Sequence, residues 1–178
     1  MHLLPPAPPL DPPLALHHRD YGDPADTGTP ILLIHGLFGS AMNWHGIAGR
    51  LHRLLGPSRR LIVPDLRNHG QSPHDPVFGY AVMATDLVRL LDSLEIEHTS
   101  LVGHSLGGKV AMWLALEHPE RIETLAVVDI APVTYPSRFR RLFAALRGLN
   151  LKTLSSRREA DARLAAVEGK DHDVAGRQ

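Results

Sequence analysis

An α/β architecture, a mostly parallel sheet with helices on both faces, is predicted by three observations. Short, continuous apolar runs recur along the chain at 31–34, 61–63, 100–102 and 125–128. Stretches with apolar residues at helical spacing separate them. A turn-forming residue closes each run, in order Gly36, Pro64, Gly103 and Asp129. Continuous apolar runs suit strands buried on both faces. Their alternation with amphipathic helices builds βαβ units and a parallel sheet.

The elements follow in order. Residues 1–13 hold six prolines, which fix φ and remove donors, so this stretch reads as an extended N-terminal arm. Residues 14–20 can form a first strand. Residues 22–30 carry Gly22, Asp23, Pro24, Asp26, Gly28 and Pro30, which is turn chemistry. The run Ile31–Ile34 is the next strand. A helix over 42–55 places Ile47, Leu51, Leu54 and Leu55 on one stripe. Leu61-Ile62-Val63 is a buried strand. A helix over 80–95 turns Met83, Leu87, Leu90, Leu91 and Leu94 inward. Ser100-Leu101-Val102 is a strand, and 106–117 a helix with Val110, Leu114 and Ala115 inward. Leu125–Val128 is the last buried strand. Trp44 and Trp113 are expected in the core. Beyond Pro132 two helices, 137–147 and 156–168, follow with no strand between them. Ser156 and Glu159 have capping-box spacing for the second. Residues 169–178 form a polar tail without periodicity.

Composition narrows the function classes. The 178 residues hold 43% apolar residues, enough for one domain with a real core. Nineteen basic and nineteen acidic residues give a formal net charge of zero. That balance argues against nucleic-acid binding, which needs a basic face. With no cysteine there is no disulfide scaffold, no Cys nucleophile and no Cys zinc site. No apolar run is long enough to span a membrane. The first residues lack a basic region and an apolar stretch, so no secretory signal is expected and the expected compartment is the cytoplasm.

The chemistry-bearing motif is Gly103-His104-Ser105-Leu106-Gly107. It falls between an apolar strand and a helix. At such a turn Gly-x-Ser-x-Gly forms a nucleophile elbow. The serine backbone is strained, and glycines at 103 and 107 remove clashes that larger residues would make. Oγ of Ser105 then projects from the carboxyl edge of the sheet, beside a helix N-terminus that favours negative charge. The simpler alternative is a serine N-cap. A second motif, His35-Gly36-Leu37-Phe38-Gly39, follows the strand 31–34. Acyl transfer needs two donors for the tetrahedral oxyanion. The N–H of Leu106, after the nucleophile, supplies one. The N–H of Leu37 is expected to supply the other, with Phe38 the alternative.

Four blocks together resemble the α/β-hydrolase superfamily, and within it small bacterial esterases. They are His-Gly-Leu-Phe-Gly-Ser at 35–40, Asp-Leu-Arg-Asn-His-Gly-Gln-Ser at 65–72, Gly-His-Ser-Leu-Gly-Gly-Lys at 103–109 and Val-Asp-Ile-Ala-Pro at 128–132. The resemblance covers about residues 14–165. It implies an α/β-hydrolase core over 14–132, followed by the start of a helical cap over 133–168. It implies Ser105 as nucleophile, Leu37 and Leu106 as oxyanion donors, and Asp129 as the triad acid. The competing view of Asp129 is a turn or cap carboxylate. Phe38 and His104 are candidate pocket residues. The 65–72 loop is structural in such proteins, with Asp65 and Arg67 tying the turn and Gly70 relieving it. His69 is not expected to be the base.

A serine triad also needs a histidine, which follows the acid in this fold. The sole histidine after Asp129 is His172, in a polar segment with nothing to fix its position. His172 is therefore not expected to act. The resemblance implies about 250 residues, so the expectation is a chain without its last strands and its base. An exposed sheet edge would follow, with association of copies or aggregation through it. The function expected is hydrolysis of small-molecule carboxylic (short-chain acyl) esters or thioesters through an acyl-enzyme on Ser105, with no metal and no organic cofactor. The alternatives are a cofactor-free haloperoxidase or C–C hydrolase on the same fold, and a catalytically silent fragment.

Overall fold

The structure is a computed structural model, and it describes residues 13–56, 58–135, 140–150 and 152–168. Most of the proline-rich arm and the polar tail with His172 lie outside the described residues. Among the described residues five strands and five α-helices follow in sequence: β1 (His18–Tyr21), β2 (Gly28–Ile34), α1 (Ala41–Leu55), β3 (Arg59–Pro64), α2 (Tyr80–Ser93), β4 (Thr99–His104), α3 (Leu106–Glu117), β5 (Ile122–Val128), α4 (Arg140–Gly148) and α5 (Arg157–Glu168), with a short 3-10 turn, Pro119–Arg121, before β5. One sheet forms, in the order β1-β3-β2-β4-β5. β1 runs antiparallel to β3. The pairs β2–β3, β2–β4 and β4–β5 are parallel. The predicted α/β class, mostly parallel with helices on both faces, is what is observed.

Side chains of successive strand residues point to opposite faces. On β2, Leu33 packs with Ala41 and Ala48 of α1 and with Leu61 and Val63 of β3. Its neighbours Leu32 and Ile34 face the other way, into a larger core with Leu87 and Leu91 of α2 and Val110 and Leu114 of α3. The central strands are thus covered on both faces, which accounts for their unbroken apolar runs. Ser40 caps α1 with a complete capping box, its hydroxyl and the Asn43 side chain each accepting a backbone N–H.

Several expectations are corrected. β2 begins at Gly28, inside the stretch read as turn, where Gly28 N–H donates to the Ser58 carbonyl at 3.0 Å. β1 is shorter than the expected strand. In α1 the inward stripe is Ala41, Trp44, Ala48 and Leu51. Ile47 is exposed and Leu54 is 81% exposed. Small residues let the helix lie close to the sheet, so side-chain size and not hydrophobicity set its rotation. In α3 Ala111 is buried and Ala115 only half-buried. Trp113 is 40% exposed and is not a core residue. β5 has one strand neighbour and its residues are largely exposed. An apolar run reports strand preference and carries no information on what covers it.

Contacts divide the chain into two compact units, Met1–Pro132 and Val133–Gln178. The second holds α4 and α5. At α5 the Ser156 hydroxyl accepts the Glu159 N–H at 3.2 Å. The Glu159 carboxylate does not complete the box, because it accepts the Ser155 N–H and hydroxyl instead.

Candidate active site

Ser105 joins β4 to α3 with φ 51° and ψ −115°. A positive φ is costly for any residue but glycine and persists only where its surroundings impose it. The surroundings here are backbone. A Cβ on Gly103 would lie 2.4 Å from the Gly107 carbonyl oxygen, and one on Gly107 would lie 2.4 Å from that of Ile34. Strand, turn and helix therefore meet at a distance that only glycine allows. The Ser105 N–H donates to the Val128 carbonyl at 3.0 Å, which ties the turn to β5. The Ser105 side chain makes no capping bond. Ser40, a true cap, has extended backbone and accepts the Met42 N–H. Ser105 thus stands at the N-cap position of α3 without capping it through its side chain.

The turn Gly36–Gly39 follows β2 and is closed by Gly39 N–H donating to the Gly36 carbonyl at 3.0 Å. Phe38 takes the left-handed position, φ 60°, and its ring is exposed. This turn lies against the elbow, since a Cβ on Gly36 would sit 3.3 Å from Ser105 Cβ and 3.0 Å from His104 Nδ1. Leu37 is half-buried within it. Leu106 is the first residue of α3, where an N–H has no intrahelical acceptor.

His35 fixes the turn from beneath. It is buried, and its Nε2 accepts the Leu66 N–H at 3.0 Å. Its Nδ1–H therefore donates to the Gly36 carbonyl at 2.8 Å, which sets the tautomer. Burial pulls its pKa below the usual histidine value, outweighing the Gly36 bond, and the nearby His69 pulls the same way. His35 is thus a neutral structural ring.

Asp129 follows β5 with φ 55° and is 86% exposed. Its Oδ2 lies 3.8 Å from Nε2 of His104, whose side chain is 44% exposed. The structure thus gathers Ser105, Leu106, His104, Asp129 and the Gly36–Phe38 turn at the carboxyl edge of β2, β4 and β5. Ligands bind at that edge in open α/β sheets. Among the described residues, no histidine hydrogen-bonds to the Ser105 hydroxyl and no group of three His, Asp or Glu could hold a metal ion.

The 65–72 loop has a different character. Asp65 Oδ1 accepts the Ala41 N–H at 2.6 Å, and Oδ2 accepts from Gln71 N–H and His17 Nδ1, each at 2.9 Å. Burial alone would raise the Asp65 pKa, but these bonds together hold it below the ordinary value. A Cβ on Gly70 would sit 2.2 Å from Asp65 Cγ, and Gly70 has φ 53°. Arg67 is buried and pairs bidentately with Asp86, at 2.7 and 2.9 Å. All these groups hold backbone. The partner Asp86 carries a signal that could have been read, a carboxylate on the otherwise apolar buried face of α2 between Met83 and Leu87. His17 and Leu66, far apart in sequence from what they hold, carry none.

A strand–serine–helix turn beside a second backbone turn, on a mostly parallel sheet, is the arrangement of an alpha/beta hydrolase fold. A family model for the alpha/beta hydrolase fold matches residues 29–166, and the chain belongs to that family. It is 43% identical over 135 residues to the Escherichia coli K12 protein named Esterase YbfF, a match that covers 75% of this chain and 52% of the relative. It is 49% identical over 113 residues to the Danio rerio sn-1-specific diacylglycerol lipase ABHD11, covering 64% of this chain and 35% of the relative. A solved structure described as a marine microorganism esterase superposes with a TM-score of 0.77 at 34% identity, over 86% of this chain and 59% of that one. The chain spans about half the length or less of these curated relatives.

Proposed function

We propose that the protein is a serine hydrolase of carboxylic esters, acting through an acyl-enzyme on Ser105. The observation that carries this reading is the strained φ of Ser105, on a residue whose hydroxyl caps nothing. Strain of that kind concentrates at functional sites. The relatives named esterase and lipase support the substrate class.

In this reading Ser105 Oγ attacks the acyl carbonyl carbon. The oxyanion is held by the N–H groups of Leu37 and Leu106, fixed in place beforehand by the glycine contacts and by His35. Asp129 orients a histidine that takes the Oγ proton and passes it to the leaving alkoxide. Water then enters by the same route reversed and frees the acid. Among the described residues no histidine holds that position. Phe38 and His104 flank the carbonyl site. Short-chain acyl esters, and thioesters by the same chemistry, are the substrates of this reading. It requires no cofactor.

A fluorophosphonate probe tests the reading. Labelling of the protein that disappears in Ser105→Ala is the expected result, with hydrolysis of p-nitrophenyl butyrate by the whole protein. A protein that labels equally without Ser105, or hydrolyses no ester, overturns it in favour of a silent chain. The outer edge of β5, with Leu125 and Val128 exposed, also supports association between copies. Size-exclusion chromatography showing a monomer across the micromolar range would contradict that.

A further inference from the structure

We propose that the unit Val133–Gln178 carries a basic and apolar surface that lays the protein on an anionic phospholipid membrane. The inference is independent of the hydrolase reading, since it concerns where the protein docks and leaves the chemistry at Ser105 untouched.

The formal charge of zero conceals a strong segregation. Residues 133–158 hold six arginines, one lysine, no acidic residue and no histidine. The rest of the chain holds twelve basic and nineteen acidic residues, so +7 in one segment balances −7 elsewhere. The described members of the cluster stand in the open. Arg147 on α4, Lys152 in the turn after it, and Arg157 and Arg158 at the start of α5 are all exposed. Among the described residues none of these four enters an ion pair. Glu159, the first acidic residue after them, is engaged by the Ser155 N–H and hydroxyl and by Arg163. Arg157 and Arg158 occupy the first turn of α5, an end where the helix dipole favours acids. Like charges without partners repel one another as well. An anionic partner offsets both costs.

Apolar groups belong to the same unit. Phe143 and Arg147 lie four residues apart on α4 and are both exposed, so an aromatic ring and a guanidinium stand side by side. Val133 and Tyr135 are exposed too. This pairing of cations with exposed apolar side chains fits a lipid interface. The ring enters the boundary of the acyl chains, while the long basic side chains keep their charges among the headgroup phosphates. A polyanion such as RNA would satisfy the cations and leave Phe143 and Val133 in water. Among the described residues no helix is long and apolar enough to cross a membrane, and α4, with nine residues, reaches only the interface.

Co-sedimentation of the whole protein with phosphatidylcholine vesicles, with and without phosphatidylglycerol, tests this. Binding is expected only where phosphatidylglycerol is present, and it should weaken as salt is raised. Arg147→Gln, Lys152→Gln, Arg157→Gln and Arg158→Gln together are expected to lower the partition coefficient about 100-fold or more, since each basic residue near such a surface is worth about five-fold. Phe143→Ser is expected to lower it about ten-fold. In Phe143→Trp, tryptophan emission should shift to the blue when phosphatidylglycerol vesicles are added, a gain of signal that does not depend on how the charge variant folds. No partition, equal partition onto both kinds of vesicle, no loss in Phe143→Ser, or no shift in Phe143→Trp overturns the proposal. Tighter retention by an RNA oligonucleotide than by the vesicles at the same salt overturns it in favour of nucleic acid.

Discussion

Two turns leave the carboxyl edge of the sheet carrying acidic residues, and they are built in opposite ways. In the 65–72 turn, Asp65 is buried and every carboxylate oxygen is engaged, with Arg67 and Asp86 paired behind it. In the turn after β5, Asp129 is 86% exposed and has His104 within 3.8 Å. The first turn has the residue types of an active site and the wiring of a scaffold. The second has little wiring, and its carboxylate is free to meet a partner. The difference teaches that saturation of hydrogen-bonding capacity, more than residue type, marks a structural carboxylate.

Substitution breaks or sharpens that comparison. The largest stability effect is expected for Asp86→Ala, which takes the bidentate carboxylate from buried Arg67. A loss of about 3–5 kcal/mol should appear in urea unfolding. Gly70→Ala comes next, because the new Cβ would meet the Asp65 carboxylate at positive φ. A loss of about 2 kcal/mol or more is expected from the same measurement. A loss under half a kcal/mol at either position would remove the scaffold role of this turn.

Acid sharpens the comparison more gently. Asp65 has a folded pKa below its unfolded value of 3.8. Its contribution is therefore full above that value and is lost as pH falls through the folded pKa. His35 also has a lowered folded pKa, against 6.5 unfolded. Between the two values the unfolded chain holds the extra proton, so stability declines as pH drops below 6.5. Unfolding midpoints followed from pH 8 to pH 4 should fall, and His35→Gln should flatten the upper part of that decline. The smallest effect is expected for Asp129→Ala, within about 0.5 kcal/mol, since an exposed carboxylate supports little. Destabilisation comparable to Gly70→Ala would make Asp129 a scaffold residue too.

Much of this was legible in the sequence. The alternating runs located all four parallel strands, and Gly103, Ser105 and Gly107 marked the elbow at the correct junction. Local chemistry dictates those features, so a local reading recovers them. What escaped depends on distance or on size. The rotation of α1 turns on Ala41 and Ala48, whose value lies in being small. β2 was hidden at its start by Gly28 and Pro30, residues that also suit turns. The exposure of β5 depends on what covers it, which its own apolar residues do not encode. His17 meets Asp65, and Leu66 meets His35, only because the sheet brings them together.

The central claim, that the exposed turn after β5 carries chemistry while the 65–72 turn carries structure, is tested most directly by Asp129→Asn in the whole protein. Hydrolysis of p-nitrophenyl butyrate and the urea midpoint are measured on the same preparation. The account predicts a loss in kcat of about 10⁴-fold with the midpoint unchanged. Turnover within a few-fold of the unsubstituted protein, or a loss that tracks a lowered midpoint, would contradict it.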